Sequence, residues 1–378
     1  MMDIDNRKTA VQLCHGYKMP FFDVAQQYSH TLKDSGYRVI TIFLTGPYVD
    51  SIAEESFSDE TLFFELTSNQ LQGLKIGLLQ KFNRICAKEN VELIIAHRAK
   101  AIYLSCISAP FRRKVMIIGV AHAYDVFKRR SRKFLAYASQ KQLRLVGVSN
   151  AIRDNIREAL PAFPKENIQT FYNRFDFDEA ISRLLSRKEA REKLGIEQDE
   201  YALVNIGRLH PDKDQRTLIS AYANAYMELS QGGKCGLYII GGGGLEESLR
   251  QQINDLCAGG YISLMGVVPD AWMYLRAFDS FVLSSDHEPF GMVLLEAIAA
   301  GLPVISTNCG GAAEINKSSF TFDVGGTALL SSLLVKLRML EQREVGELVE
   351  KNLAYARKEF SFSMAQSDFT CLLASFNT

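Results

Sequence analysis

Residues 284–314 read SSDHEPFGMVLLEAIAAGLPVISTNCGGAAE, and an apolar run, SFVLS at 280–284, leads into them. That run lacks any apolar/polar alternation, as a strand buried on both faces requires, and so predicts a parallel strand. It breaks into a polar loop at Ser285-Asp286-His287-Glu288. Pro289 follows where a first helical residue is expected, because its φ is already suited to a helix. The helix predicted over about 291–300 is apolar but carries one carboxylate, Glu296. Gly301 is expected to close it in a left-handed conformation. Pro303 opens a second buried strand, PVIST, and Gly310-Gly311 then form a second tight loop.

Strand, loop, helix, strand and loop place both loops at the carboxyl ends of parallel strands, where open α/β sheets bind ligands. A helix N-terminus there offers unpaired N–H groups and the positive end of a dipole to an anion. Alone, Glu288 reads as a solvated loop acid. Glu296 does not, since an ionised carboxylate in apolar surroundings needs a partner. Two acids bracketing one helix start point to a ligand site.

Glu288-Pro289-Phe290-Gly291 through Glu296, then Ala300-Gly301-Leu302-Pro303-Val304 and Gly310-Gly311 with Glu314, resembles the E-x7-E motif and following signatures of retaining family 4 glycosyltransferases. The resemblance implies the GT-B fold, an α/β architecture of two Rossmann-like parallel-sheet domains facing a central cleft. It also implies transfer of a sugar from a nucleoside diphosphate sugar. Glu296 would hold the ribose hydroxyls, and Glu288 would contact the donor sugar and take part in catalysis. Pro289, Phe290 and Gly291 would bring the helix N-terminus to the diphosphate.

A chain of 378 residues exceeds what one core usually serves. We expect an N-terminal acceptor domain over 1–180, a nucleotide-sugar domain over 181–360, and a C-terminal helix at 361–378 that crosses back to the first. An apolar content of 47% and a charged content of 23% are those of an ordinary globular protein. Seven scattered cysteines do not form a disulfide framework and read mostly as buried small hydrophobes, which suggests a reducing compartment. Neither a signal-peptide core nor an apolar stretch near the ~20 residues of a membrane span is apparent, so a cytoplasmic location is expected.

The zero net charge conceals a division. Residues 1–188 hold 28 Lys and Arg against 19 Asp and Glu, a net of +9, and residues 189–378 hold 15 against 24, a net of −9. Within 103–144 there are ten basic residues and one acid, Asp125. They include Phe111-Arg112-Arg113-Lys114 and the run from Phe127 through Lys133 to Phe134. Charge runs are usually solvated faces. Aromatic residues flank these ones, so the segment from Arg112 to Lys133 fits an anionic membrane surface at the inner face of the membrane, each basic residue contributing ~1 kcal/mol. No nucleic-acid-binding module accompanies it.

In the N-terminal half, a strand over 11–15, a loop over 16–22, a helix over about 23–35 capped by Asp23 and ended by Gly36, and a strand over 38–44 make the βαβ start of a Rossmann-like domain. By the resemblance Gly16, in a loop that is more glycine-rich in the family, lies against donor phosphates or acceptor. A long helix is predicted over about 68–89, and strands over 91–96, 115–121 and 143–148. The strand over 115–121 delivers His122 at its carboxyl end. A lone His is more often structural, but the family places there the His that contacts the transferred sugar, a catalytic position. Val148-Ser149-Asn150 also matches the family, and Ser149 reads as the cap of a helix over 151–159. The segment IQTFYNRFD at 168–176 resembles the family's Asn-Gly-x-Asp link, with Arg174 where Gly is common. Asp176-Phe177-Asp178 falls in that link and reads as no metal site.

In the C-terminal half, a strand over 201–206 ends in Gly207-Arg208 with Lys213 five residues further on, before a helix over 215–230. Two cations at a strand end suit a diphosphate, Arg as a bidentate donor and Lys as a point charge. The loop matches the family's G-R-x-x-x-x-K motif, so Arg208 and Lys213 are expected to bind and stabilise the departing diphosphate. A strand over 236–240 runs into four glycines, 241–244, which do not meet G-x-G-x-x-G but match the family's I-G-x-G loop. Gly241 is thus expected at the nucleotide, with Val268 near its base.

No cofactor or metal is implied; the donor nucleotide sugar is a substrate, and the acceptor is a hydroxyl of a glycan or lipid-linked molecule, as in lipopolysaccharide synthesis. A nucleotide-sugar epimerase of the same fold, an NAD-dependent dehydrogenase suggested by the glycine run, and a non-catalytic nucleotide-sugar-binding protein remain as alternatives.

Overall fold

The computed structural model describes residues 7–18, 21–67, 69–71, 76–111 and 114–376. The chain forms two compact units, one of residues 1–174 with 362–378 and one of residues 175–361. Each is a Rossmann-like α/β domain built on a wholly parallel sheet.

In the first unit the strands are β1 (Lys8–Cys14), β2 (Tyr37–Phe43), β3 (Glu60–Phe63), β4 (Val91–His97), β5 (Met116–Ala121), β6 (Leu143–Gly147) and β7 (Ile168–Thr170). Their order is β3-β2-β1-β4-β5-β6-β7. β1, β4, β5 and β6 are nearly continuous apolar runs, and from the second residue on β1 is wholly buried. The order reverses between β1 and β4, which sets a topological switch point beyond their carboxyl ends.

The second unit repeats the plan with β8 (Tyr201–Ile206), β9 (Cys235–Ile240), β10 (Ile262–Gly266), β11 (Ser280–Leu283), β12 (Val304–Thr307) and β13 (Thr321–Phe322), in the order β10-β9-β8-β11-β12-β13. Its switch point lies between β8 and β11. The core joins Leu203, Leu237, Ile239, Val282 and Ile305 on the sheet to Leu218, Tyr222 and Leu334 on covering helices. Asn205 is buried within β8, where its amide nitrogen donates to the Val282 carbonyl of β11 (2.8 Å) while its Oδ1 finds no hydrogen-bond partner among the described residues.

The strand over 201–206 falls as expected, and most other strands begin or end within a residue or two of their expected bounds. Three expectations need correction. Pro289 does not open its helix, which runs Met292–Ala299, because Gly291 at its N-cap takes φ 108° and breaks the chain direction first. Asp23 is not a cap but lies in the first turn of the helix Phe21–Asp34. The long helix over 68–89 is shorter, Ile76–Lys88, with a turn at 69–71; Ser68 and 72–75 lie outside the described residues. Gly301 does adopt the left-handed conformation (φ 80°) after Ala299. Ser149 caps Asn150–Ala159 by accepting from the Ile152 N–H.

Arg174, which stands where Gly is common in the resembled family, is almost wholly buried, its guanidinium paired with Asp368 of the helix Ala365–Ala374. The backbone N–H of Arg174 donates to Gln27 Oε1 (2.9 Å) and its carbonyl accepts from Gln27 Nε2 (2.6 Å). Phe369 is fully buried in the same unit, and Arg144 donates to the Ser375 carbonyl. The C-terminal segment is therefore part of the first unit's core.

Candidate functional site

At the second unit's switch point the loop after β8 meets the loop after β11. The first of these passes through Gly207 and an exposed Arg208, makes one turn of 3-10 helix at Pro211–Lys213, and reaches Asp214 with φ 40°. Asp214 caps the helix Gln215–Leu229 by accepting from the Thr217 N–H. This tight turn aims Lys213 back at the strand ends, where its Nζ lies 2.5 Å from Glu288 Oε2. Glu288 is buried at 6% exposure, and Ser285 Oγ donates to the same carboxylate oxygen (3.1 Å). A buried carboxylate demands such partners.

The two loops are stitched together by their backbones as well. The N–H groups of Asp286 and His287 donate to the Asp212 carbonyl (3.1 and 3.3 Å), and Ser284 Oγ donates to the Lys213 carbonyl (2.9 Å). The loop after β12 joins them: Gly311 N–H donates to the Glu288 carbonyl (2.8 Å), while Thr307 Oγ1 and Cys309 Sγ both donate to the Ser285 carbonyl. A Cβ on Gly311 would lie 2.4 Å from Phe290 Cα, so only glycine allows this approach.

The structure thus brings Arg208, Lys213, Glu288, Pro289, Phe290 and Gly291 onto adjoining strand ends of one sheet. Among the described residues the Arg208 guanidinium has no hydrogen-bond or ion-pair partner, which leaves an exposed cation on the loop that also carries Lys213. Phe290 is buried with its ring edge-on to Phe360 (5.6 Å between centroids), an anchor for the turn into Met292–Ala299. Gly291 offers no side-chain cap to that helix. Glu296 is half-buried on it.

Gly241 follows β9 with φ 145°, and a Cβ there would stand 1.9 Å from the Gly207 carbonyl oxygen. The glycine loop therefore packs directly on the loop that carries Arg208, a reinforcement also seen in Leu209 N–H donating to the Gly242 carbonyl (3.0 Å). Val268 is half-buried beyond β10, next to Val267 at 76% exposure.

Gly16 and His122 belong to the first unit. Gly16 follows β1 in a loop held to the end of β2 by Thr45, whose N–H and Oγ1 both donate to the His15 carbonyl (2.9 and 2.6 Å). His122 follows β5 directly and is half-buried. Its Nε2 lies 3.1 Å from Nδ1 of His97, and Nε2 of His97 lies 2.9 Å from Gln12 Oε1. Burial, and then the charge of Arg98, push the His122 imidazole down to about 3. Burial, and then His122, push His97 well below its ordinary value. Both rings are neutral at neutral pH.

Sequence reasoning missed His97 and Gln12. The available signal was a polar residue within each of two buried strands, β1 and β4. Neither residue belongs to a recognised motif.

Asp176 caps the helix Phe177–Arg183, accepting from the Asp178 and Glu179 N–H groups, and Asp178 pairs with Arg357 (2.8 Å). Both acids thus have structural roles. Of the basic segment, Arg112 and Arg113 lie outside the described residues. Lys128, Arg129 and Arg130 are exposed at the start of the helix Arg130–Ala138, whose Phe134 is 70% exposed. A shallow groove of about 520 Å³ runs beside it, lined by Tyr103, Ile107, Arg130, Ser131, Phe134 and Leu135. No helix among the described residues is long and apolar enough to cross a membrane.

Residues 24–179 match the family described as Glycosyltransferase Family 4, and residues 186–325 match Glycosyl transferases group 1. The chain is 23% identical over 307 residues to an N-acetyl-alpha-D-glucosaminyl L-malate synthase of Bacillus anthracis, a match covering 77% of this chain and 78% of that protein. It is 35% identical over 121 residues to the lipopolysaccharide core biosynthesis glycosyltransferase LpsE of Rhizobium meliloti, across 32% of this chain and 34% of the relative. A glycosyltransferase from Rickettsia africae superposes with a TM-score of 0.82 at 18% identity, covering 98% of this chain and 99% of that one. The Anabaena protein HepE, solved in complex with UDP, gives 0.78 at 19% identity, covering 97% and 100%. These likenesses establish the GT-B fold. With the two family regions joined in one polypeptide, the chain belongs to the glycosyltransferases that combine a family 4 N-terminal region with a group 1 C-terminal region.

Proposed function

We propose that this glycosyltransferase moves a sugar, with retention of anomeric configuration and without a metal, from a nucleoside diphosphate sugar to a hydroxyl of a glycan or lipid-linked acceptor. The observation that carries this reading is the Lys213–Glu288 pair spanning the β8/β11 switch point, with an exposed Arg208 on the same loop as Lys213.

In this reading a departing diphosphate needs positive charge placed before it leaves. Arg208 binds it bidentately, Lys213 supplies a mobile point charge, and the N–H groups following Phe290 and Gly291 add the helix terminus. When Lys213 turns to the phosphates, Glu288 is released to accept hydrogen bonds from the donor sugar. Glu296 holds the ribose hydroxyls, Gly241 lets the backbone approach the nucleotide, and Val268 packs near the base. Gly16 approaches the phosphates or the acceptor, and His122 contacts the transferred sugar.

Relatives include proteins named for lipopolysaccharide core synthesis and for alpha-monoglucosyldiacylglycerol synthesis, which supports a surface-glycan or lipid-linked acceptor. The exposed Phe134 and the basic residues around it suit a peripheral anionic membrane surface at which such an acceptor is held. The names of these relatives favour transfer over epimerisation. UDP-glucose is the first donor to test, since a protein of the same fold is solved with it.

The deciding experiment follows the anomeric configuration of the product by NMR, with and without a chelator. A retained configuration and undiminished turnover in chelator support the reading; inversion, or loss of activity in chelator, contradicts it.

A further inference from the structure

The buried chain Gln12–His97–His122 has only one consistent set of protons. Gln12 Nε2 lies 3.0 Å from the Ala25 carbonyl, 3.1 Å from Ser29 Oγ and 3.1 Å from Thr41 Oγ1. A carbonyl only accepts, so the amide nitrogen must face Ala25 and Gln12 Oε1 must face His97. That oxygen also only accepts, so His97 Nε2 carries the proton. The neutral His97 ring then has a bare Nδ1, and His122 Nε2, 3.1 Å away, must be the donor. The remaining nitrogen of a neutral His122, Nδ1, is left with its lone pair. It has no hydrogen-bond partner among the described residues.

We infer that Gln12 and His97 are positioning residues that lock His122 in its Nε2–H tautomer and present the Nδ1 lone pair to a hydroxyl hydrogen of the transferred sugar. The second half of the inference rests on the transferase reading; the tautomer does not. The lock is rigid because the two amide hydrogens of Gln12 are held among three surrounding oxygens, those of Ala25, Ser29 and Thr41. The His97 ring is also packed edge-on to Tyr28 at 4.8 Å, and the His122 ring edge-on to Phe21 at 5.8 Å. A hydroxyl donating to Nδ1 would meet an acceptor that need not reorganise, the condition under which such a contact favours the reacting geometry. In the other tautomer Nδ1 would carry a proton and face the hydroxyl hydrogen with a hydrogen of its own.

The test is a long-range proton–nitrogen NMR spectrum of the full chain labelled with ¹⁵N-histidine at neutral pH, with His122 assigned by His122→Gln. The expected result is a protonated Nε2 and a bare Nδ1. An Nδ1-protonated His122 in the wild-type chain overturns the inference, and this holds even where a variant fails to fold. His97→Leu should let His122 exchange between tautomers and lower kcat about three- to tenfold with little change in donor KM. His97→Asn, whose Oδ1 can stand in for Nδ1, should restore the tautomer and most of kcat. His97→Leu with unchanged tautomer and kcat overturns the positioning role. A wild-type chain with the expected tautomer that transfers no sugar overturns the hydroxyl partner, while the tautomer assignment stands.

Discussion

Lys213 and Glu288 form an ion pair of 2.5 Å across 75 residues of sequence, and the pair ties together the two loops on either side of a strand-order reversal. Glu288 is nearly fully buried, while Lys213 keeps 18% of its side chain in water. Lys213→Ala leaves a buried carboxylate without its countercharge. We expect a loss of about 2 kcal/mol, reduced from the cost of a fully buried pair because Lys213 is partly solvated. In a unit of this size that is roughly 4–8 °C in Tm. Glu288→Gln removes the charge but keeps the shape, so it should cost less stability than Lys213→Ala while still impairing turnover. Calorimetric scanning of the two variants, with rates, checks both; full turnover in Glu288→Gln contradicts the role given to that carboxylate.

Gly241→Ala should be among the most damaging small substitutions in the second unit. The added Cβ would meet the Gly207 carbonyl oxygen at 1.9 Å, at a backbone φ of 145° that side chains rarely adopt. Because the contact is with backbone, relief requires the Arg208 loop to move. The expected outcome is a lower Tm together with weakened nucleotide binding, measured on the same sample. Normal binding would show that the two loops are not mechanically linked.

Acid sensitivity should track the two histidines. His122 is held down to about 3 when folded, whereas an unfolded histidine titrates near the ordinary 6.5. Between these values the unfolded chain binds more protons, so this stabilisation is complete above about 6.5 and is lost as pH falls towards about 3. His97 is shifted in the same direction by burial. His122→Phe should therefore flatten the dependence of Tm on pH between about 6.5 and 4.5 relative to the wild type. Equal slopes would mean that the imidazole is not held neutral.

Membrane attraction through the helix Arg130–Ala138 should be electrostatic and salt-dependent. The double substitution Arg130→Ala with Lys133→Ala removes two basic residues worth ~1 kcal/mol each. Partitioning onto vesicles containing phosphatidylglycerol should then fall roughly thirtyfold. Partitioning that ignores both salt and the substitutions would remove the membrane from the account.

The sequence made local features plain and long-range ones obscure. β8 and the strand ending at Leu283 are readable because largely apolar runs between polar loops leave few alternatives to a buried parallel strand. Glu60–Phe63 is not, since a four-residue, half-buried strand at a sheet edge carries little periodic signal. The start of Met292–Ala299 is not legible locally, because Pro289 is a visible helix opener while the positive φ of Gly291 depends on how its loop packs. Arg208 and Lys213 could be chosen from their spacing at a strand end. The partnership of Lys213 with Glu288, and of His97 with His122, depends on which strands become neighbours, and no local pattern encodes that. Arg174 looked like a departure at a glycine position until its partner Asp368, 194 residues away, supplied the reason.

The most direct test of the central claim is calorimetric titration of the wild-type chain and Arg208→Ala with UDP, GDP, ADP and NAD. The account predicts that one nucleoside diphosphate binds and that the substitution weakens it roughly ten- to hundredfold, the loss of charge-assisted hydrogen bonds to phosphate. Binding of NAD in preference to every nucleoside diphosphate, or nucleotide binding that Arg208→Ala leaves untouched, would contradict it.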